Sequence, residues 1–141
     1  MKNIFLPVLL SFLLIFSFSS NTTAEGTSAP NNIIPVMTSN NAPSGHATAS
    51  SIWISNGGEA IHQLYRIFNG DMTVVGWASS QGISSGWVAY EFNHPVVVNQ
   101  YALLARADSV VYKEESPKEF TFEAWYGEKW IVLDSQINVT N

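Results

Sequence analysis

Between residues 87 and 133 the side chains alternate with a period of two, and this limits the chain to few folds. In residues 87–92, Val88, Tyr90 and Phe92 alternate with Trp87, Ala89 and Glu91. In residues 120–124, Phe120, Phe122 and Ala124 alternate with Thr121 and Glu123, and residues 130–133 form a short apolar run after Gly127. Aromatic and β-branched residues at this spacing suit half-buried strands. Residues 96–105 and 48–54 are read as two more strands, the second introduced by Pro43-Ser44-Gly45. Ala60, Ile61, Leu64, Tyr65 and Phe68 instead follow a helical period, which predicts one short helix near residues 60–68, stopped by Gly70. Several short strands separated by turns, with one short helix, predict an all-β sandwich or jelly roll.

The beginning of the chain reads differently. Lys2 precedes 15 almost wholly apolar residues, 4–18, and small side chains follow at Thr22-Thr23-Ala24. This is the layout of a secretory signal, expected to cover residues 1–24, and the run is short for a bilayer span. The expected location is therefore secreted and extracellular, or periplasmic in a bacterium, with no stable membrane insertion after signal cleavage. Residues 25–34 are read as a flexible lead-in, because Gly, Thr, Ser, Pro and Asn dominate up to residue 32. Without Lys2 the chain carries 5 basic and 11 acidic residues, a net charge of −6, which disfavours a nucleic-acid partner. With no cysteine, a thiol nucleophile, a zinc–thiolate site and disulfide staples are excluded.

Catalytic motifs are not prominent. His46, His62 and His94 lack short metal-ligand spacing, and Glu114-Glu115 would point opposite ways on an extended chain. A glycosidase needs two carboxylates facing each other across a cleft, which this adjacent pair does not offer. Asn138-Val139-Thr140 is a glycosylation sequon, meaningful only in a eukaryote.

Taken in order, several short segments resemble the discoidin domain, the coagulation factor five/eight type C family that includes carbohydrate-binding module family 32. Met37-Thr38-Ser39, Ala42-Pro43-Ser44-Gly45 and Ala49-Ser50-Ser51 resemble its opening. Leu64-Tyr65-Arg66-Ile67-Phe68-Asn69-Gly70-Asp71 is similar to its helix-and-turn element. Trp77-Ala78-Ser79-Ser80, Gly86-Trp87-Val88-Ala89-Tyr90-Glu91-Phe92 and Val98-Asn99-Gln100-Tyr101 with Arg106 resemble its central strands. Ser116-Pro117-Lys118-Glu119-Phe120-Thr121-Phe122-Glu123 and Trp130-Ile131-Val132-Leu133-Asp134-Ser135 resemble the hairpin that follows. The order holds across roughly residues 35–136.

The resemblance implies a galactose-binding-like jelly-roll β-sandwich over residues 35–141. It also implies that the family's C-terminal strands are missing, so that the domain is incomplete or completed by a partner chain. The implied function is a secreted non-catalytic module that recognises glycans on a cell surface or matrix through loops at one end of the sandwich. The alternatives are a cell-adhesion module binding protein or lipid head groups, and a fragment of a larger extracellular hydrolase. Arg106 falls where many sugar-binding members place an arginine, and it would offer a rigid fork of donors or else a surface ion pair. Tyr112 and Trp53 could each stack on a sugar, or else pack at an edge and in the core respectively. Lys113 stands where the family often partners the arginine with asparagine, and Ala78 where a histidine often follows the first tryptophan. Both departures weaken a galactose-specific reading. The family's structural calcium would fall on Asn69, Asp71 and Thr73, with hard oxygen ligands, although this chain lacks the family's C-terminal glutamate and commonly found Asp at the position of Asn69. The bland reading of those residues is an Asn-Gly-Asp turn.

Overall fold

The computed structural model describes residues 32–55, 62–71, 76–104 and 115–140. Residues 1–24, expected to be a signal, and Ala60, Ile61, Thr73, Ala105, Arg106, Tyr112, Lys113, Glu114 and Asn141, lie outside the described residues.

Four strands and one 3-10 helix run in the order β1 (His46–Ala49), helix (Leu64–Phe68), β2 (Val88–Glu91), β3 (Phe120–Tyr126) and β4 (Lys129–Gln136). They form two antiparallel two-stranded sheets, β1–β2 and β3–β4, so the described chain is all-β with little helix. The β1–β2 register places Ala47 opposite Tyr90 and Ala49 opposite Val88. Strands form where alternation is expected, at β2 and β3; β3 buries Phe122 and Ala124 in alternation, whereas β2 buries Val88, Ala89 and Tyr90 in succession.

The core forms where β2, the 3-10 helix and residues 33–37 meet. Ile34, Met37, Leu64, Phe68, Trp77, Val88 and Tyr90 are all buried there. Ile34 thus belongs to the packed body, although it falls at the end of the stretch read as a lead-in. An isoleucine side chain gains more from leaving water than a polar lead-in residue would. Tyr90 lies between Phe68 and Phe92, with tilted ring contacts at 5.4 and 4.8 Å. Its hydroxyl donates to the Ser44 carbonyl at 2.7 Å, which satisfies its buried polar end. Gly45 has φ +73°, and a Cβ there would collide with the Tyr90 ring and hydroxyl.

Three sequence expectations are corrected. The first strand is β1, His46–Ala49, rather than residues 48–54. Serine hydroxyls explain its early end: Ser50 Oγ accepts the Trp87 N–H at 3.0 Å, and Ser51 Oγ accepts the Ser80 N–H at 3.1 Å. These side chains take donors that a ladder would otherwise use. The helix is a single 3-10 segment starting at Leu64, with no side-chain cap at Gln63, and Gly70 follows it at φ +73°. Residues 96–104 belong to no strand among the described residues. Val96 and Val98 turn inward between exposed neighbours, but Asn99 and Gln100 are both exposed and reset the alternation before Tyr101. A change of parity prevents one continuous ladder from burying both halves.

The β3–β4 hairpin packs on the body through Phe122, which stacks on Tyr101 at 4.4 Å with planes 9° apart. Phe122 opposes Asp134 while Glu123 opposes Val132, so Leu133 is an extra residue at a β-bulge. The Tyr101 hydroxyl donates to Asp134 on β4, whose carboxylate also accepts the Gln136 amide at 2.9 Å. Burial first, and then the hydrogen bond to Asp134 and its negative charge, push the Tyr101 hydroxyl up to about 12. The bonds from Tyr101 and then Gln136 hold the Asp134 carboxyl below its ordinary value.

Candidate functional site

Of the three residues expected to contact carbohydrate, Trp53 is the one among the described residues. It lies on a loop, residues 50–55, that runs beside residues 76–80. The Trp53 N–H donates to the Ala78 carbonyl at 2.8 Å, and the Trp77 indole N–H donates to the Ser51 carbonyl at 2.7 Å. Ser80 closes the contact from both sides: its N–H donates to Ser51 Oγ and its hydroxyl donates to the Ile52 carbonyl at 3.2 Å. Trp77, fully buried, anchors this seam in the core.

Trp53 is half-buried, which meets neither expectation fully: it is not a core residue, and its indole retains surface. The His62 ring meets it edge to face, with centroids 5.1 Å apart and planes at 89°. His62 is itself buried and its Nδ1 lies 3.0 Å from the Gly76 carbonyl. In the sequence His62 stands out only as a histidine without metal-ligand spacing. No local pattern links it to Trp53, because residues 76–78 bring the two together.

Around this loop the side chains are small and hydroxyl-rich. Ser79 Oγ donates to the Ile83 carbonyl at 2.7 Å and holds the 79–83 turn. Trp87 follows that turn, is 43% exposed, and donates its N–H to Ser50 Oγ. Partly open indoles beside serine hydroxyls and loop carbonyls can serve a ligand with apolar C–H faces and many hydroxyls.

The suggested calcium turn has a simpler architecture in its described part. Asn69 Oδ1 accepts the Asp71 N–H at 2.9 Å, which is an Asx turn closing the 3-10 helix. Asp71 is exposed and carries a carboxylate, a hard oxygen donor of the kind calcium takes. Thr73, the third residue of the suggested set, lies outside the described residues. Among the described residues, no group of three His, Cys, Asp or Glu side chains could hold a metal ion. Among the same residues, no helix is long and apolar enough to cross a membrane.

The chain matches no protein-family model, no curated protein and no solved structure.

Proposed function

We propose that this chain is an exported, non-catalytic module that binds carbohydrate on a discoidin-like β-sandwich, using loops at one end. The single observation that carries the reading is Trp53. It is a half-buried indole on a loop whose backbone is bonded to Ala78, and Trp87, bonded to Ser50 on the same loop, is partly open. The all-β architecture and the ordered motifs between residues 35 and 136 support the same reading. Arg106 and Tyr112 complete the proposed binding set as a donor fork and a stacking ring. The partners are glycans on a cell surface or matrix, and the acidic net charge opposes an anionic membrane surface.

A printed glycan array, run beside pull-down with phosphatidylserine vesicles, tests the class of ligand. The reading expects retention on glycans and none on vesicles. It also expects Trp53→Ala and Arg106→Ala to lower glycan retention without loss of cooperative melting. Retention on vesicles alone would assign the loops to lipid head groups. Unchanged glycan retention in both variants would remove the proposed site.

A further inference from the structure

Two backbone carbonyls on one short segment hold the ends of a side-chain contact. Gly76 accepts from His62, at 3.0 Å, and Ala78 accepts the Trp53 N–H, at 2.8 Å. A carbonyl oxygen has no proton to give, so the His62 Nδ1 carries the hydrogen in this bond. The Trp53–His62 ring contact, at 5.1 Å and 89°, closes the triangle. The bond to Ala78 fixes the Trp53 backbone and does nothing to choose its side-chain rotamer. The tethered imidazole supplies a wall for the indole, in an edge-to-face geometry that aromatic rings prefer.

We infer that His62 is a positioning residue that sets the pose of the Trp53 indole for ligand stacking without itself reaching the ligand. The inference rests on the carbohydrate reading for its use, but the pose exists without a ligand. A loosely held indole loses rotamer freedom when it binds, whereas a pre-set one does not. Ordering one such side chain costs on the order of a tenfold loss in affinity. His62 is also suited to the task by burial, because packing on its other sides keeps the imidazole from swinging away.

The test uses the full chain with His62→Ala, His62→Phe and His62→Gln. Phe keeps a ring and loses the donor, while Gln keeps a donor and loses the ring. The first readout is the Trp53 indole N–H resonance, assigned by its disappearance in Trp53→Phe. Wild type should give one sharp signal, which shifts and broadens in the Ala and Gln variants and changes least in Phe. The other four indole signals should keep their positions. If the Ala variant does not fold, the Phe–Gln pair carries the same contrast.

The second readout is retention on a printed array of neutral glycans. Ala and Gln should each reduce it about tenfold, and Phe less. An unchanged Trp53 signal in the Ala and Gln variants would overturn the inference. So would a changed signal with unchanged glycan retention, provided Trp53→Ala abolishes retention. If the signal changes as expected but wild type is retained on no glycan, the hold of His62 on Trp53 is upheld and the carbohydrate reading falls.

Discussion

Val88, Ala89 and Tyr90 are buried in succession along β2, whereas β4 contains no buried residue. Both strands carry apolar side chains and both sit in antiparallel pairs. The difference lies in what covers them. Val88 and Tyr90 of β2 share one buried cluster with residues of the 3-10 helix, Ile34, Met37 and Trp77. β4 has β3 as its neighbour, and among the described residues Val132, Leu133 and Ile137 remain more than half exposed. Burial therefore depends on the layers stacked on a strand, more than on the strand's own composition. The loops that carry Trp53 are joined to the well-covered region through Trp77 and through the Ser50–Trp87 bonds. On this view a stable body presents the proposed binding loops, and the hairpin is a less firmly held appendage.

The largest expected effect separates two tryptophans. Trp77→Ala removes a fully buried indole and should cost about 3–5 kcal/mol, enough to abolish cooperative unfolding in a marginal domain. Trp130→Ala removes a 40% exposed ring that pairs edge to face with Trp125 at 5.3 Å, and should cost about 1 kcal/mol. Urea denaturation of both variants measures the gap, and equal losses would break the comparison.

Two glycines sharpen it at constant backbone conformation. Gly45 and Gly127 both have positive φ, +73° and +56°, but a Cβ on Gly45 meets Tyr90 while one on Gly127 meets open space. Gly45→Ala should destabilise by about 3 kcal/mol, from strain plus overpacking, and Gly127→Ala by about 1 kcal/mol, from strain alone. Thermal unfolding of the two variants is the check. Comparable shifts would mean that the Tyr90 contact yields easily.

Much of the scaffold was legible because period-two burial is written locally. Phe122 and Ala124 follow the alternation into the interior and Phe68 follows the helical period, whereas Ala89 is buried along with Val88 and Tyr90 and departs from it. Residues 50–55 were not legible as a loop, because serine hydroxyls replaced ladder bonds with partners at Ser80 and Trp87, far along the chain. The bulge at Leu133 was hidden for a related reason: register is set between strands and not within one. At the candidate site Trp53 was visible as an aromatic near a loop. His62 was not, since its role comes from the shared contact with residues 76–78.

The seam that joins hairpin to body gives a similarly small effect, but with a pH signature. Tyr101→Phe removes the hydroxyl that donates to Asp134 and should cost about 1 kcal/mol, while the stack on Phe122 persists. Because the Tyr101 value is raised from 10.0 to about 12, its contribution is present below pH 10 and is lost as pH rises through 12. Asp134 has the opposite sign: its lowered value contributes above the ordinary carboxyl value of 3.8 and is lost as pH falls through the folded-state value. In Tyr101→Phe both pH dependences should flatten relative to wild type. Stability measured by denaturant titration across acid and alkaline pH reads this, and parallel profiles for the two proteins would deny the seam its role.

Native-state hydrogen exchange tests the two-region account most directly. The ladder amides of β1 and β2, together with the Trp53 amide, should exchange only with global unfolding, at one common free energy. The ladder amides of β3 and β4 should exchange through a smaller opening that leaves the body folded. Equal protection across both sheets, or a Trp53 amide that exchanges with the hairpin instead of the body, would contradict the account.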